Sequence, residues 1–150
     1  MSNPTSPKTK IPQLTDYHHL INIDTRWKDN DLYGHVNNVV YYSYFDTIIN
    51  RYLIEHANLD IHTGSTIGLM VSSQCNYYTS VAFPDKLVGA FAVNKIGNSS
   101  VEYDVAIFKE KHVTASARGT MTHVFVDRNT RKPTPISGIL RDALTKALKN

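Results

Sequence analysis

Residues 36–57, with the sequence VNNVVYYSYFDTIINRYLIEHA, decide the fold of this chain. The stretch contains neither glycine nor proline over 22 residues, which is typical of a continuous helix. Its apolar side chains recur at steps of four, at Val40, Tyr44, Ile48 and Tyr52. A second apolar row widens this stripe, at Tyr41, Phe45, Ile49 and Leu53. We therefore predict one long helix that is surrounded by the rest of the protein.

Segments with strand-like alternation lie on both sides of this helix. Apolar and polar residues alternate over 17–26, which predicts a strand before the helix. After a loop through Gly64 and Gly68, period-two patterns predict four more strands, at 69–78, 87–96, 101–107 and 113–127. The last of these is long enough that it must bend, and we place a β-bulge at Gly119.

The order of these elements predicts an α+β fold. A long central helix is expected to be wrapped by a curled, mainly antiparallel five-stranded sheet. The last four strands are expected to follow one another as a meander. A loop with Pro133 and Pro135 then leads into a short C-terminal helix at 137–149.

Length and composition fit one domain. The chain has 150 residues, of which 41% are hydrophobic, which suffices for one core and not for two. Residues 1–15 are rich in Pro, Ser, Thr and Lys, so we predict a flexible tail and a single domain at 16–150. The sequence has no apolar run long enough to span a membrane and no signal-peptide pattern, so a cytoplasmic location is expected.

Cysteine and histidine usage argues against a metal site. Cys75 is the only cysteine, which excludes an internal disulfide and a cluster of thiolate ligands. The histidines lack the spacing that would place them on one face with carboxylates. We predict neither a metal nor a cofactor.

The net charge of +3 is unevenly distributed. Residues 128–150 hold six basic residues and one acidic residue, whereas residues 1–127 hold ten basic and twelve acidic residues. Such a basic segment is either solvated or meets nucleic acid, an anionic membrane or a phosphorylated ligand.

The densest chemistry lies in residues 26–38, RWKDNDLYGHVNN. Asp29 and Asp31 are followed by a glycine turn at Gly34 and then by Asn37 and Asn38, which are good helix N-cap residues. The first N–H groups of a helix have no partner inside it, and with the helix dipole they can stabilise a negative oxygen. A carboxylate beside them can act as general base or nucleophile on a carbonyl. The alternative is a turn in which the carboxylates only cap the backbone.

This stretch, followed by YYSYFD at 41–46, resembles the signature of the hotdog-fold acyl-CoA thioesterases related to 4-hydroxybenzoyl-CoA thioesterase. The segment YTSVAFPD at 78–85 is similar to the segment after the second strand of that family, and the similarity covers residues 16–130. One departure is Val81, where family members often carry proline. The resemblance implies a hotdog fold and hydrolysis of an acyl-CoA or acyl-carrier thioester.

The resemblance also assigns roles within the loop. It places the catalytic carboxylate on Asp31, the carbonyl-polarising backbone N–H on Asn38 and the turn glycine on Gly34. The neighbours His35, Val36 and Asn37 are expected to support the site or the oxyanion. Tyr33 and Tyr41 are candidate substrate contacts, with a place in the core as the alternative for Tyr41.

Hotdog domains pair their sheets edge to edge, which implies a homodimer or a dimer of dimers with active sites between subunits. Ser73 or Gln74 of a partner copy is then a candidate contact. Arg128 and Arg131, with Lys132, are candidates for the phosphates of CoA, which is substrate here and not cofactor. Neither nucleic acid nor membrane is an expected partner.

Two alternative functions remain on sequence grounds. A hotdog hydratase or dehydratase would need a different acid–base pair, usually with a histidine, and the Asp-x-Asp-x-x-Gly spacing argues against it. A non-catalytic module that binds acyl-CoA would have no need for a carboxylate beside an anion-stabilising helix end.

Overall fold

The computed structural model describes residues 10–149 of the chain. Its long helix, α1, spans Asn38–Ala57 and confirms the helix prediction with a start two residues later. The helix begins there because the side chain of Asn37 accepts a 3.3 Å hydrogen bond from the N–H of Val39. It ends at Asn58, which adopts the left-handed conformation with φ of 53°, and the N–H of Leu59 closes back on the carbonyl of Leu53 at 3.1 Å.

Five strands form one antiparallel sheet: β1 (His19–Asp24), β2 (Thr66–Tyr77), β3 (Lys86–Ile96), β4 (Ser100–Lys109) and β5 (Ala117–Asp127). Their order in the sheet is β1-β3-β4-β5-β2. The predicted meander is therefore correct for β3, β4 and β5 and wrong for β2, which pairs with β5 at the edge of the sheet.

Residues 78–85 explain why β2 and β3 are not neighbours. The carbonyl of Val81 accepts a 2.8 Å hydrogen bond from the N–H of Val36, and the N–H of Phe83 donates to the side chain of Asn30 at 2.9 Å. These contacts hold the segment against the loop that precedes α1. The chain thus crosses the entrance of the helix between the two strands instead of turning back in a tight hairpin.

Two glycines differ from their predicted places. Gly68 lies inside β2, opposite Phe125, and not in the preceding loop. Gly119 is in regular register with both neighbouring strands, so it is not a bulge; the irregularities fall between Met70 and Ser72 and between Val93 and Lys95. The structure shows a different reason for a glycine at position 119: a Cβ there would lie 2.9 Å from the Phe45 ring.

Part of the N-terminal segment is hydrogen-bonded to the residues that precede β5. Residues 1–9 of the predicted tail lie outside the described residues. The N–H of Leu14 donates to Val113 at 2.8 Å and the N–H of Ala115 donates to Pro12 at 2.9 Å, so hydrogen-bonded structure begins before residue 16. This pairing also explains why β5 begins at Ala117 and not at 113.

The core lies between α1 and the middle of the sheet, with Phe45, Ile49 and Leu53 fully buried. The second helix, α2 (Gly138–Lys146), packs against α1, and the Tyr52 hydroxyl donates to the carbonyl of Ala143 at 2.6 Å. Among residues 10–149, no helix is long and apolar enough to cross a membrane.

Candidate active site

The loop before α1 is folded tightly by its own backbone. The N–H of Asp31 donates to the carbonyl of His35 at 2.8 Å, and the N–H of Gly34 donates back to Asp31 at 3.2 Å. Gly34 has a φ of 84°, which lies in the left-handed region that glycine tolerates best. The turn glycine of the sequence prediction is therefore required by the backbone conformation.

The two carboxylates of this loop, Asp29 and Asp31, lie in different environments. Asp29 is only 1% exposed, and its carboxylate accepts hydrogen bonds from the Tyr44 hydroxyl at 2.7 Å and from the Arg26 side chain at 3.0 Å. Burial by itself would raise the pKa of the Asp29 carboxyl, but the hydrogen bonds from Tyr44 and Arg26 outweigh it and hold the pKa below its usual value. The carboxylate of Asp29 thus joins the loop to the helix through Tyr44 and ties the loop to itself through Arg26.

Asp31 is held differently. Its Oδ1 accepts hydrogen bonds from the N–H groups of Tyr33 at 2.8 Å and His35 at 3.3 Å, which fix the orientation of the side chain. Its Oδ2 has no hydrogen-bond partner within residues 10–149, and the side chain is half-buried. Asp31 is therefore an oriented carboxylate with one oxygen available for chemistry.

The backbone at the helix entrance leaves one donor available. The N–H of Val36 is bonded to Val81 at 2.8 Å, that of Asn37 to Asp29 at 2.9 Å and that of Val39 to the Asn37 side chain. The N–H of Asn38 donates to no group in the described part of the chain. Asn37, the candidate second donor to an oxyanion, is thus engaged, and Asn38 remains at the positive end of the helix dipole.

Asp31 and Asn38 line the same cavity, of about 450 Å³. Four other residues predicted from the sequence line it as well: Tyr33, His35, Val36 and Tyr41. Tyr41 is buried, and its ring meets that of Tyr77 edge-on at 5.0 Å, so it serves both the core and the cavity wall.

The segment from Tyr77 to Ser80 completes the cavity. The aromatic residues Tyr77 and Tyr78 are candidates for an acyl pocket from the sequence, with a place in the core as the favoured alternative, whereas Thr79 and Ser80 were not predicted. The hydroxyl of Tyr78 is buried and is without a hydrogen-bond partner among residues 10–149. The sequence signal for Thr79 and Ser80 is the polar run after β2 within YTSVAFPD, the segment that resembles the thioesterase family.

Ser73 and Gln74 lie outside this cavity. Opposite residues of paired strands share a face, and Ser73 lies opposite the buried Met121, so it faces α1. Gln74 therefore points to the other face of the sheet. Both are exposed on the edge strand, so only contact with a partner copy would bring them into a site.

The predicted phosphate contacts lie at the other end of β5. Arg128 follows the residue paired with Thr66, whereas the cavity is beside Tyr77, about 35 Å away along the strand at 3.3 Å per residue. The Arg128 side chain donates to the carbonyls of Gly64 at 2.6 Å and Ile61 at 2.8 Å. Arg131 occupies the exposed turn that follows. Within one chain, neither arginine joins Asp31.

Much of the basic C-terminal segment has an internal role. Arg141 donates to the carbonyls of Gly97 and Ile136, and Lys149 forms an ion pair with the buried Asp104. Within residues 10–149, no group of three His, Cys, Asp or Glu side chains is arranged to hold a metal ion.

Comparison with known proteins identifies the class. The model of the thioesterase-like superfamily matches residues 25–147, and the chain belongs to that family. No protein of curated function matches its sequence.

Solved structures of the same fold include one similar in sequence. The PA5185 protein from Pseudomonas aeruginosa strain PAO1 is 48% identical over 94% of this chain and 99% of its own, with a TM-score of 0.92. A 1,4-dihydroxy-2-naphthoyl-CoA thioesterase from Synechocystis is 16% identical over 84% of this chain and 94% of its own, with a TM-score of 0.75. A DHNA-CoA thioesterase from Staphylococcus aureus is 22% identical over 85% of this chain and 88% of its own, with a TM-score of 0.74. These likenesses confirm the hotdog fold.

Proposed function

We propose that this protein is an acyl-CoA thioesterase, which hydrolyses an acyl-CoA thioester to a free acid and CoA. One observation carries the proposal: the carboxylate of Asp31, with an unpartnered oxygen, lines the same cavity as Asn38, whose N–H has no partner in the described part of the chain. The thioesterase-like family supports hydrolysis, and the names of the two CoA thioesterases of the same fold support CoA as the thiol.

The chemistry follows from these two groups. The thioester carbonyl oxygen accepts a hydrogen bond from the N–H of Asn38, and the helix dipole stabilises the negative charge that develops on this oxygen. Asp31 then either removes a proton from an attacking water or attacks the carbonyl carbon itself to give a mixed anhydride that water opens. In both routes the C–S bond breaks and the thiolate of CoA takes up a proton. The reaction requires no cofactor.

We further propose that two copies pair through β2. This strand forms an edge of the sheet, so one row of its N–H and C=O groups lacks a strand partner among residues 10–149. Three consecutive apolar residues on this strand are exposed: Leu69, Met70 and Val71. Contiguous exposed apolar side chains often mark a protein–protein interface. A second copy would cover this edge and bring Ser73 of one chain towards the site of the other.

The test is thiol release from acyl-CoA substrates by the Asp31→Asn variant. We expect kcat to fall by about 10²–10⁴-fold, the usual contribution of a positioned general base. The exposed Asp24 gives a matched control, Asp24→Asn, which should keep full activity. Thermal unfolding of both variants checks that the fold is intact.

Retained hydrolysis in Asp31→Asn would overturn the assignment of this carboxylate. Absence of thiol release by the wild-type protein from short, branched, aromatic and long-chain acyl-CoAs would overturn the activity. If acyl-CoA still bound in that case, the protein would be a binding module.

A further inference from the structure

A second cavity, of about 330 Å³, lies between the C-terminal half of α1 and the start of β2. Its wall is mostly apolar and includes Leu53, Leu59, Ile61 and Ile67. His123, which projects from β5, is the titratable residue in this wall. A volume of this size is within the range of small-molecule sites, which are typically apolar with a few placed polar groups.

The hydrogen bond between His123 and Tyr103 fixes the tautomer of the imidazole. The Tyr103 hydroxyl lies 3.0 Å from Nδ1 and has no other partner among residues 10–149. Tyr103 is fully buried, so an undonated hydroxyl proton would be costly, and the hydroxyl therefore donates to Nδ1. The neutral ring then carries its own proton on Nε2.

This Nε2–H is the polar group that His123 can present to the cavity, because Nδ1 is engaged by Tyr103. The residue is 5% exposed, and within residues 10–149 no group accepts a hydrogen bond from Nε2. Burial lowers the pKa of His123 to about 4, so the ring is neutral at pH 7. The cavity thus combines an apolar wall with one donor, on an almost fully buried residue, that lacks an acceptor in the described part of the chain.

Gly68 keeps the space beside the ring open. A Cβ at this position would lie 2.8 Å from Nδ1 of His123, closer than any side chain tolerates. Glycine weakens a strand interior, so its place in β2 requires a reason, and the close approach to His123 supplies one.

This cavity and the Asp31 cavity lie at different points along the same helix and the same edge strand. Asn38 lines one cavity and Asn50 the other, 12 residues apart on α1, which corresponds to about 18 Å at 1.5 Å per residue. On the facing strand, Tyr77 and Met70 point towards α1 but remain 46% and 38% exposed. The side of β2 that faces α1 is therefore partly accessible at both of these positions.

We propose that the His123 cavity binds the distal end of a long acyl chain, one that carries an acceptor oxygen such as a hydroxyl or keto group near that end. This inference rests on the proposed thioesterase function. In this proposal the thioester lies at Asn38, the chain runs along the side of β2 that faces α1, and its end enters the cavity beside Leu53 and Ile67. The acceptor oxygen takes the hydrogen bond from Nε2–H of His123.

The first test places a bulky side chain in the wall of the cavity and compares the hydrolysis of a long and a short acyl-CoA. In Asn50→Phe, a bulky ring on the half-buried position of α1 fills the space that the chain end needs. We expect kcat/KM for hexadecanoyl-CoA to fall by at least about tenfold, because several buried methylene groups lose their site, while that for butyryl-CoA stays unchanged. Thr47→Phe is the matched control, because it places the same ring on an exposed position of α1 that lines neither cavity, and it should preserve both activities. Equal effects on both substrates, or none, would overturn the proposal.

The second test addresses the donor. Wild-type protein should prefer ω-hydroxyhexadecanoyl-CoA to hexadecanoyl-CoA by about fivefold in kcat/KM, the value of one neutral hydrogen bond. The double variant Tyr103→Phe/His123→Phe removes both partners of the buried pair, so no orphaned hydroxyl is left, and it should lose this preference. A preference that persists in the double variant, or none in the wild-type protein, would overturn the role of His123.

A binding measurement distinguishes failure of this inference from failure of the proposed function. In protein labelled with ¹⁵N-histidine, ω-hydroxyhexadecanoate should shift the Nε2 resonance of His123, and Asn50→Phe should abolish the shift. A shift without hydrolysis of any thioester would retain the site and reject the enzyme. Hydrolysis of long-chain acyl-CoA without a shift would retain the enzyme and reject the site.

Discussion

The Tyr44 hydroxyl donates a 2.7 Å hydrogen bond to Oδ2 of Asp29, a carboxylate that is almost fully buried. This bond joins the second turn of α1 to the loop that also holds Asp31. Asp29 is thereby a positioning residue for the loop, whereas Asp31 keeps one oxygen without a partner in the described part of the chain.

Tyr44→Phe should destabilise the protein without removing its chemistry. We expect the free energy of unfolding to fall by about 1.5–3 kcal/mol, the usual value for a hydrogen bond to a charged group. Urea unfolding measures this loss, and thiol release should stay within a fewfold of wild type. Tyr42→Phe is the control on the same helix, because Tyr42 is only half-buried and its hydroxyl makes no hydrogen bond within residues 10–149. Equal stabilities of the two variants would contradict the role of Tyr44.

The residues of the loop predicted two candidate carboxylates and could not choose between them. The resemblance selected Asp31, and the structure supplies a physical difference that the sequence does not contain. Tyr44 lies 15 positions after Asp29, and only the folded helix brings its hydroxyl to that carboxylate. The engaged N–H of Asn37 is equally invisible in sequence, because it depends on how the loop closes on Asp29.

Gly119→Ala tests why a glycine occupies the middle of β5. The added Cβ would lie 2.9 Å from both the Phe45 ring and the Met121 side chain. Such overpacking of a core costs about 1–3 kcal/mol, which thermal or urea unfolding detects. Phe45→Leu in the same chain should recover part of the loss by returning space. A double variant no more stable than Gly119→Ala would show that the ring of Phe45 is not the cause.

Local pattern predicted the helix and the five strands well because α1 and β3 to β5 are specified by their own periodicity and by short turns. The place of β2 was not predictable in this way. It depends on contacts of Val81 and Phe83 with the loop before α1, which hold the connecting segment across the helix entrance. The alternation that predicts a strand does not say which neighbour it will pair with.

Val71→Lys tests the pairing of two copies through β2. Val71 is 60% exposed at the irregularity of this edge strand, and a lysine there would place a charge in the proposed interface. We expect wild-type protein to sediment as a dimer or larger assembly and Val71→Lys to shift towards the monomer. Val113→Lys, at a comparably exposed position away from β2, should leave the assembly unchanged. A monomeric wild type, or an unchanged Val71→Lys assembly, would rule out this edge.

Stability should decrease in mild acid because of His123. Burial lowers the pKa of His123 from 6.5 to about 4 in the folded protein. Between these values the unfolded chain binds a proton that the folded protein does not, so the free energy of unfolding falls as the pH decreases from 6.5 to 4, by about 3 kcal/mol at most. Burial also lowers the pKa of His19, and the neighbouring charges of His56 and His18 lower it further. His19 therefore adds to the loss of stability as the pH decreases.

The double variant Tyr103→Phe/His123→Phe separates the contribution of His123 from that of His19. Urea unfolding at intervals from pH 7 to 4.5 should show a shallower loss of stability in this variant than in wild type, because it has no imidazole at 123 to protonate on unfolding. His19→Gln should reduce the slope by a smaller amount, since His19 is less buried than His123. The carboxyls of Asp29 and Asp127, whose pKa values are lowered in the folded protein, lose their stabilising effect only at lower pH. Parallel pH profiles for wild type and the double variant would mean that His123 is protonated as readily in the folded protein as in the unfolded chain.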